Sequence, residues 1–418
     1  MQTASVITYG CTHNQKDSQL IEAQLLKGGY KLVSEDQAEI VVVNTCTVKS
    51  PTENKIMRKL QDLQGKKKVV VTGCLSQANP DLIKSRFPNY IVMGVNAAKF
   101  ILPALRSDNL LPLTQEIPFN KPLLESTQWN PYLNIVQINE GCLNSCTFCA
   151  TKQARGRLHS FPRASIIEAI RSNPTPEVWL TSQDTGCWGF DINDNLANLL
   201  NDIDKIRRKF YLRVGMGNPN NFIKILDEIV EAYHSPKVYK FLHLPVQAGS
   251  NAVLRHMRRG YTVEEYETIV EAFRKEFPQL TLSTDVICGY PTETEEDFIE
   301  TLRTIEKTRP NITNISRFWE RKGTPAADLP QLPHEIRKER ARRVAELTTS
   351  IQLADNEKWV GWSGEVLITE KGSKGGMVGR NLHYKPIVIN APDTLLGTFQ
   401  TVRITKAETT FFYGELLH

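Results

Sequence analysis

A chain of 418 residues is too long for one ordinary core, and a prior of roughly 150 residues per domain predicts two or three. Hydrophobic residues at 40% and charged residues at 23% match soluble globular proteins and exclude disordered and collagen-like classes. A net charge of +5 is compatible with a polyanionic partner without demanding one. The N-terminus lacks a basic region leading into an apolar core, and no stretch approaches the ~18 apolar residues of a membrane span. The expectation is a cytosolic protein with no membrane association. In a reducing compartment, its eight cysteines read as metal ligands or catalytic groups rather than disulfides.

In chain order, the first hundred or so residues alternate β-branched runs (ASVITYG, AEIVVVNT, KKVVVTG, NYIVMG) with amphipathic stretches (NQKDSQLIEAQLLKGG, SPTENKIMRKLQDL). This is the pattern of βαβ units around a parallel sheet, so an α/β domain is expected over 1–115. Cys11, Cys46 and Cys74 each fall just past a predicted strand, where open parallel sheets bind ligands. If those strands are neighbours, the three thiols converge. A turn-rich stretch with Pro118, Pro122 and Pro131 predicts a linker.

Six further strands are expected at 133–139, 177–182, 210–216, 239–246, 280–287 and 312–319, with helical patterns between them. This predicts an open, partial (β/α)6 barrel within a domain spanning 130–355, with its chemistry at the C-terminal mouth. A long charged helix containing RKERARR follows, and then short strands with glycine turns. Those strands predict a small antiparallel β-barrel over 357–418, a form common in binding modules.

The densest chemistry lies in EGCLNSCTFCATKQARG, Glu140 to Gly156, where Cys142, Cys146 and Cys149 form a Cys-x3-Cys-x2-Cys loop after a strand. Burial of three small residues does not require such spacing. A zinc site pairs two short hooks or adds histidines, and His159 stands ten residues on, where it reads as a loop residue. A cubane iron-sulfur cluster held by three thiolates keeps its fourth iron open for a ligand.

This spacing, with Phe148 before the last cysteine, resembles the radical S-adenosylmethionine (SAM) enzymes. In that family the open iron chelates SAM, and the reduced cluster splits it into methionine and a 5′-deoxyadenosyl radical. Together with Cys11, Cys46 and Cys74 upstream and a β-barrel behind, the whole chain resembles the radical SAM methylthiotransferases. The resemblance implies a second 4Fe-4S cluster on the N-terminal trio, a TRAM barrel that binds tRNA, and six ligands in all: Cys11, Cys46, Cys74, Cys142, Cys146 and Cys149. HLPVQAGSNAVLRHMRRGYT and TDVICGYPTETEEDF resemble motifs of the family's barrel. KGTPAADL resembles its sixth-strand segment, with Lys322 in place of a proline.

TKQARGRLHSFP and EVWLTSQDTGCWGFDI resemble the archaeal and eukaryotic enzymes that act on N6-threonylcarbamoyladenosine (t6A), without the hydrophobic C-terminal anchor of some eukaryotic members. The activity implied is conversion of t6A37 in tRNA to its 2-methylthio form, by radical sulfur insertion at the adenine C2–H and methyl transfer. By resemblance and position, Phe148, Ser182, Gln183, Arg213, Gln247 and Asp285 are expected to hold SAM, each with an alternative reading as an ordinary polar or core residue. Phosphate neutralisation dominates RNA affinity. The candidates for it are Arg155, Arg157, Arg255, Arg258, Arg259, Lys371, Lys374 and Arg380, while RKERARR also reads as a solvated face. Arg155 and Arg157 are equally candidates for tuning the cluster. Cys187 and Cys288 read as structural.

The implied partners are the tRNA anticodon loop, an electron donor such as ferredoxin or flavodoxin and an unidentified sulfur donor, with the enzyme a monomer. Two rival readings stand beside this one. The first is a methylthiotransferase acting on another tRNA base or a ribosomal protein. The second is a non-catalytic iron-sulfur RNA-binding protein, against which stand two trios where ferredoxins close all four corners with cysteine.

Overall fold

The computed structural model describes residues 1–47, 50–106 and 119–417. The first sheet contains β1 (Thr3–Thr8), β2 (Lys31–Leu32), β3 (Ile40–Thr45), β4 (Lys68–Gly73) and β5 (Ile91–Val92), all parallel, in the order β2-β1-β3-β4-β5. Every residue of β3 is buried, as a strand covered on both faces requires. Val42 and Val70 pack with Leu20, Leu25 and Ile101 on one face, while Val41, Val43, Val69 and Val71 meet Ile56, Leu60 and Ile83 on the other.

The strand order reverses between β1 and β3, so their C-terminal ends flank the crevice where doubly wound sheets bind ligands. Cys11 and Cys46 lie there, and Cys74 follows the adjacent β4. The expected linker's Pro118, like the expected domain boundary at 115, lies outside the described residues. The part that contains Pro122 and Pro131 is no free tether. The Lys121 ammonium is buried against Asp17 and Glu140, and Trp129 Nε1 donates to Glu22 at 2.8 Å.

The central region runs through β6 (Leu133–Gln137), the short β7 (Asn139–Glu140) and β8 (His159–Ser160), then β9 (Glu177–Thr181), β10 (Tyr211–Arg213), β11 (Phe241–His243), β12 (Thr281–Cys288) and β13 (Ile312–Arg317). Two three-stranded parallel sheets, β10-β9-β6 and β11-β12-β13, meet through the bridge Leu212↔Val238. All six expected strands are present, in chain order around an open barrel. The antiparallel pair β7 and β8, with Glu140 opposite His159, closes the loop that carries Cys142, Cys146 and Cys149.

The helix His334–Glu357 is anchored on the barrel by Arg340, whose buried guanidinium meets Glu293 at 2.6 Å, and by Arg343, which meets Glu295 at 2.5 Å. Part of RKERARR is therefore an intramolecular brace. Strands β14 (Ser363–Lys371), β15 (Met377–Asn381), β16 (Pro386–Ile389), β17 (Phe399–Ala407) and β18 (Phe412–Leu416) form a closed barrel in the order β14-β15-β16-β18-β17. Its pairs are antiparallel except β16 with β18. A ring of five strands cannot alternate direction all the way round.

This small barrel docks on the central sheet where its strands begin. Lys240 N donates to Leu382 O at 2.8 Å, Thr281 Oγ1 donates to His383 O at 2.6 Å, and the Tyr384 ring meets Tyr239 edge-on and Phe241 at a tilt. Among the described residues, no helix is long and apolar enough to cross a membrane.

Candidate functional site

The two cysteine trios reach their places by similar local geometry. Gly73 and Gly141 precede Cys74 and Cys142, both with left-handed backbones, φ +96° and +72°. A Cβ on Gly141 would lie 2.0 Å from Arg157 O, and one on Gly73 would lie 2.5 Å from Thr45 O. Only glycine fits either turn. The Gly141 amide donates to Gln183 Oε1 at 2.7 Å, which ties the cysteine loop to the end of β9.

Charged and backbone N–H groups are directed at the sulfurs. Arg259 Nη1 lies 3.1 Å from Cys146 Sγ, the Asn144 amide 3.4 Å from Cys142 Sγ, and Arg155 Nε 3.4 Å from Cys74 Sγ. The charges of Cys146 and Cys142 act on Cys149, and that of Cys11 acts on Cys74. A cubane takes each thiolate on a different iron, so the donor set suits a cluster. Guanidinium donors beside thiolates suit its net negative charge.

Between the trios lies a buried polar knot. Arg155, 1% exposed at its side chain, contacts Asp17 at 2.8 Å, Glu140 at 2.5 Å and Asn14 Oδ1 at 2.8 Å, while Lys121 pairs with the same two carboxylates. Burial alone would raise the Glu140 carboxyl, but Lys121 and Arg155 reverse that and hold it well below the carboxylate range. Burial pushes His13 down. Gln137 Nε2 adds a bond to Asp17 at 2.9 Å, so helix Thr12–Lys27 and β6 share one network across the domain boundary.

A cavity of about 390 Å³ opens at the ends of β11 to β13. Its lining includes Phe148, Cys149, His243, Gln247, Asp285 and Asn314, and Thr47, the neighbour of Cys46, lines it from the N-terminal domain. Asp285 accepts from Asn314 Nδ2 at 2.7 Å and lies 3.1 Å from His243 Nε2. Burial would raise its carboxyl, yet these partners keep it below the ordinary value. Gln247 has φ +67° and donates its amide to Asp285 O at 2.8 Å.

Of the six candidate SAM contacts, Phe148, Gln247 and Asp285 line this cavity, whereas Ser182, Gln183 and Arg213 stand outside its lining. Ser182 Oγ accepts from the Asp184 amide, and Gln183 holds Gly141. Arg213 sits among the rings of Trp179, Phe241 and Tyr384 at 5.1, 5.2 and 5.5 Å, because β10 places it in register with Trp179 and towards the docked small barrel.

The basic candidates also divide. Arg157, Arg255, Arg258, Lys371 and Lys374 are exposed, with Lys371 paired to Asp393. Arg155 is buried against sulfur and carboxylates and Arg259 against the Cys146 sulfur and the Tyr261 hydroxyl, so neither offers its charge to a phosphate at the surface. Arg380 is tied to Glu370 at 2.8 Å and stacks on Tyr384. A guanidinium with internal partners is not available to RNA.

Asp184 escaped the sequence reading. Its buried Oδ1 accepts the Gly186 and Asn218 amides at 3.0 Å, and its Oδ2 lies 3.8 Å from Cys142 Sγ. Burial raises its carboxyl. The stretch SQDTG at a strand end carried the signal. Cys187 is fully buried beside Cys142 and donates to Asp184 O at 3.2 Å. Cys288 belongs to the barrel core, with its thiol pushed up to about 12 by burial.

Residues 3–94 match the uncharacterized protein family UPF0004, residues 136–305 the Radical SAM superfamily and residues 359–417 the TRAM domain. A probable threonylcarbamoyladenosine tRNA methylthiotransferase of Pyrococcus horikoshii is 43% identical over 98% of both chains. The threonylcarbamoyladenosine tRNA methylthiotransferase of Drosophila melanogaster is 38% identical over 100% of this chain and 78% of its own. Among solved structures, the radical SAM methyltransferase TsrM of Kitasatospora setae superimposes with a TM-score of 0.53 at 14% identity, covering 78% of this chain and 75% of that one, a likeness of fold alone. With relatives at this identity along essentially its whole length, the chain belongs to the threonylcarbamoyladenosine tRNA methylthiotransferase family.

Proposed function

We infer that this chain converts t6A at position 37 of tRNA to 2-methylthio-t6A, with one 4Fe-4S cluster on Cys142, Cys146 and Cys149 and a second on Cys11, Cys46 and Cys74. The observation that supports this most is the shared cavity, lined by Cys149 of one trio and by Thr47, next to Cys46 of the other. A base seated there would meet Cys149 of one trio and the residue next to Cys46 of the other. When bound, the cluster and SAM supply a primary carbon radical, which the non-acidic adenine C2–H requires.

The chain's own residues bind, orient and exclude water. Asp285 stays ionised because His243 and Asn314 hold its oxygen, so it would accept a hydrogen bond from SAM, with Phe148 and Gln247 of the same cavity as the other groups that would hold it. Phe318 and Trp319 give the cavity an apolar wall, which shields a reactive carbon from solvent. Arg259 Nη1 is directed at the Cys146 sulfur, and hydrogen bonds from Cys187 and from the Asn144 amide hold the Cys142 thiol below its ordinary value. The exposed Arg157, Arg258 and Lys374 are the surface groups offered to tRNA phosphates. A one-electron reductant of the ferredoxin or flavodoxin class and a sulfur donor complete the reaction.

The test is anaerobic reconstitution with iron and sulfide, reduction, addition of SAM and t6A-containing tRNA, and mass spectrometry of the nucleosides. The expected result is 5′-deoxyadenosine together with 2-methylthio-t6A. Absence of 5′-deoxyadenosine above background overturns the radical assignment. Its release with t6A unchanged overturns the substrate alone.

A further inference from the structure

A second cavity, of about 450 Å³, adjoins the first and shares Thr47, Ala150 and Arg321 with it; its other walls include Leu75 and Ala78 beside Cys74, together with Glu53, Glu320 and Lys322. Arg321 therefore stands in the partition between the space lined by Cys149 and the space beside the N-terminal trio. Its side chain is 6% exposed. Nη1 meets Glu53 Oε2 at 3.0 Å, and Thr47 Oγ1 fixes the other oxygen of Glu53 at 2.7 Å. Among the described residues, Nη2 is buried without a hydrogen-bond partner.

A buried guanidinium nitrogen with no acceptor is costly, and this one borders two cavities. Lys322 lies beside it, exposed, on the wall of the second cavity, at the position where the family resemblance has a proline. The negative groups on that wall are Glu53, already engaged by Arg321, and the exposed Glu320.

The threonylcarbamoyl group ends in a free carboxylate, which unmodified or prenylated adenosines lack. We propose that Arg321 is the specificity residue of this site. Its unpartnered nitrogen receives the carboxylate of the threonylcarbamoyl side chain as that chain enters the second cavity, with Lys322 as the flanking cation. The inference rests on the t6A reading above. Glu53 sets the guanidinium's orientation before substrate arrives, so little ordering remains to be done on binding. A site built to hydrogen-bond one group discriminates strongly against analogues that lack it, because its own polar atom is then left unsatisfied.

The experiment uses the reconstituted full chain and three anticodon stem-loops, carrying t6A, the carboxamide of t6A or unmodified adenosine. Their affinities are measured by fluorescence anisotropy, with bound iron measured in parallel. The wild-type chain should prefer the carboxylate over the carboxamide by roughly 10-fold to 100-fold, the worth of one charge-assisted hydrogen bond. Arg321→Gln should reduce that preference to near unity at wild-type iron content, Arg321→Lys should restore part of it, and Lys322→Ala should weaken it less. A carboxylate preference unchanged in Arg321→Gln overturns the inference. So does a loss of preference that appears only together with lost iron, since Arg321 would then be supporting the Cys46 loop. Methylthio product on t6A from a wild-type chain that ignores the carboxylate sinks this inference while sparing the t6A reading. Product on unmodified adenosine alone sinks both.

Discussion

Arg155 shows how much one side chain can differ from what its sequence context implies. In CATKQARG it is a basic residue after the cysteine loop, open to readings as a phosphate contact or a cluster neighbour. In the fold, its guanidinium meets Asp17, Glu140, Asn14 and the Cys74 sulfur. Removing one member of a buried ion pair typically costs about 3 to 5 kcal/mol, since the partner charges stay buried. Arg155→Met is therefore expected to lower the stability of the metal-free chain by that order, read from anaerobic urea unfolding. Arg157→Met, exposed two residues on, should change unfolding by less than about 0.5 kcal/mol and instead weaken tRNA binding with a reduced salt dependence. Equal stability losses in the two variants would contradict the buried knot.

At the scale of elements, the cysteines are legible because strand and loop signals are local. The runs of valine before Cys46 and Cys74 form β3 and β4, and their pairing, Thr45 opposite Gly73, brings those thiols to one edge. The turn at Gly141 is equally local. Gly141→Ala must push Arg157 O away from a contact of 2.0 Å and so open the β7/β8 closure. The expected outcome is a chain whose N-terminal trio still binds iron while the Cys142 trio does not, so that about eight irons fall to about four. Cys46→Ala should give the same number from the other trio, retaining SAM cleavage but losing sulfur insertion. Identical enzymatic phenotypes for the two variants would argue against separate roles. What the pattern does not reveal is the fate of helix Thr12–Lys27. Its polar residues His13, Asn14, Lys16, Asp17 and Gln19 lie in or beside a stretch that the pattern marks only as amphipathic, yet all are buried, because β6, Lys121 and Arg155 cover them.

For the whole molecule, the docking of the small barrel is the decisive arrangement. Tyr211, Tyr239 and Phe241 pack with Leu367, Leu382, Tyr384 and Phe399 across that boundary, so a chain cut before residue 357 should expose an apolar patch and aggregate or melt earlier. His383 lies in the same seam against Trp359, and burial first of all lowers its pKa from 6.5 to about 4. Lys385 and Lys240 in that seam also oppose a positive charge there. The unfolded chain binds a proton on this imidazole below 6.5 while the fold resists it. The stabilisation is thus complete above pH 6.5 and lost as pH falls towards 4, amounting to at most about 3 kcal/mol. Acid titration of unfolding should show a steeper loss over that window in the wild-type chain than in His383→Gln. Parallel curves would remove the assignment.

The sequence by itself determined the two cysteine trios, the strand ends that carry them, the partial barrel and the terminal strands, because periodicity, glycine turns and thiol spacing act over a few residues. Only the tertiary structure decided that Arg155 and Arg259 face sulfur rather than solvent, that Arg213 stacks beneath Tyr384, and that Thr47, Cys149 and Arg321 share a cavity wall. Burial and pairing of a charge depend on what packs over it from distant segments, and the free energy of a guanidinium changes more with that covering than with its neighbours along the chain.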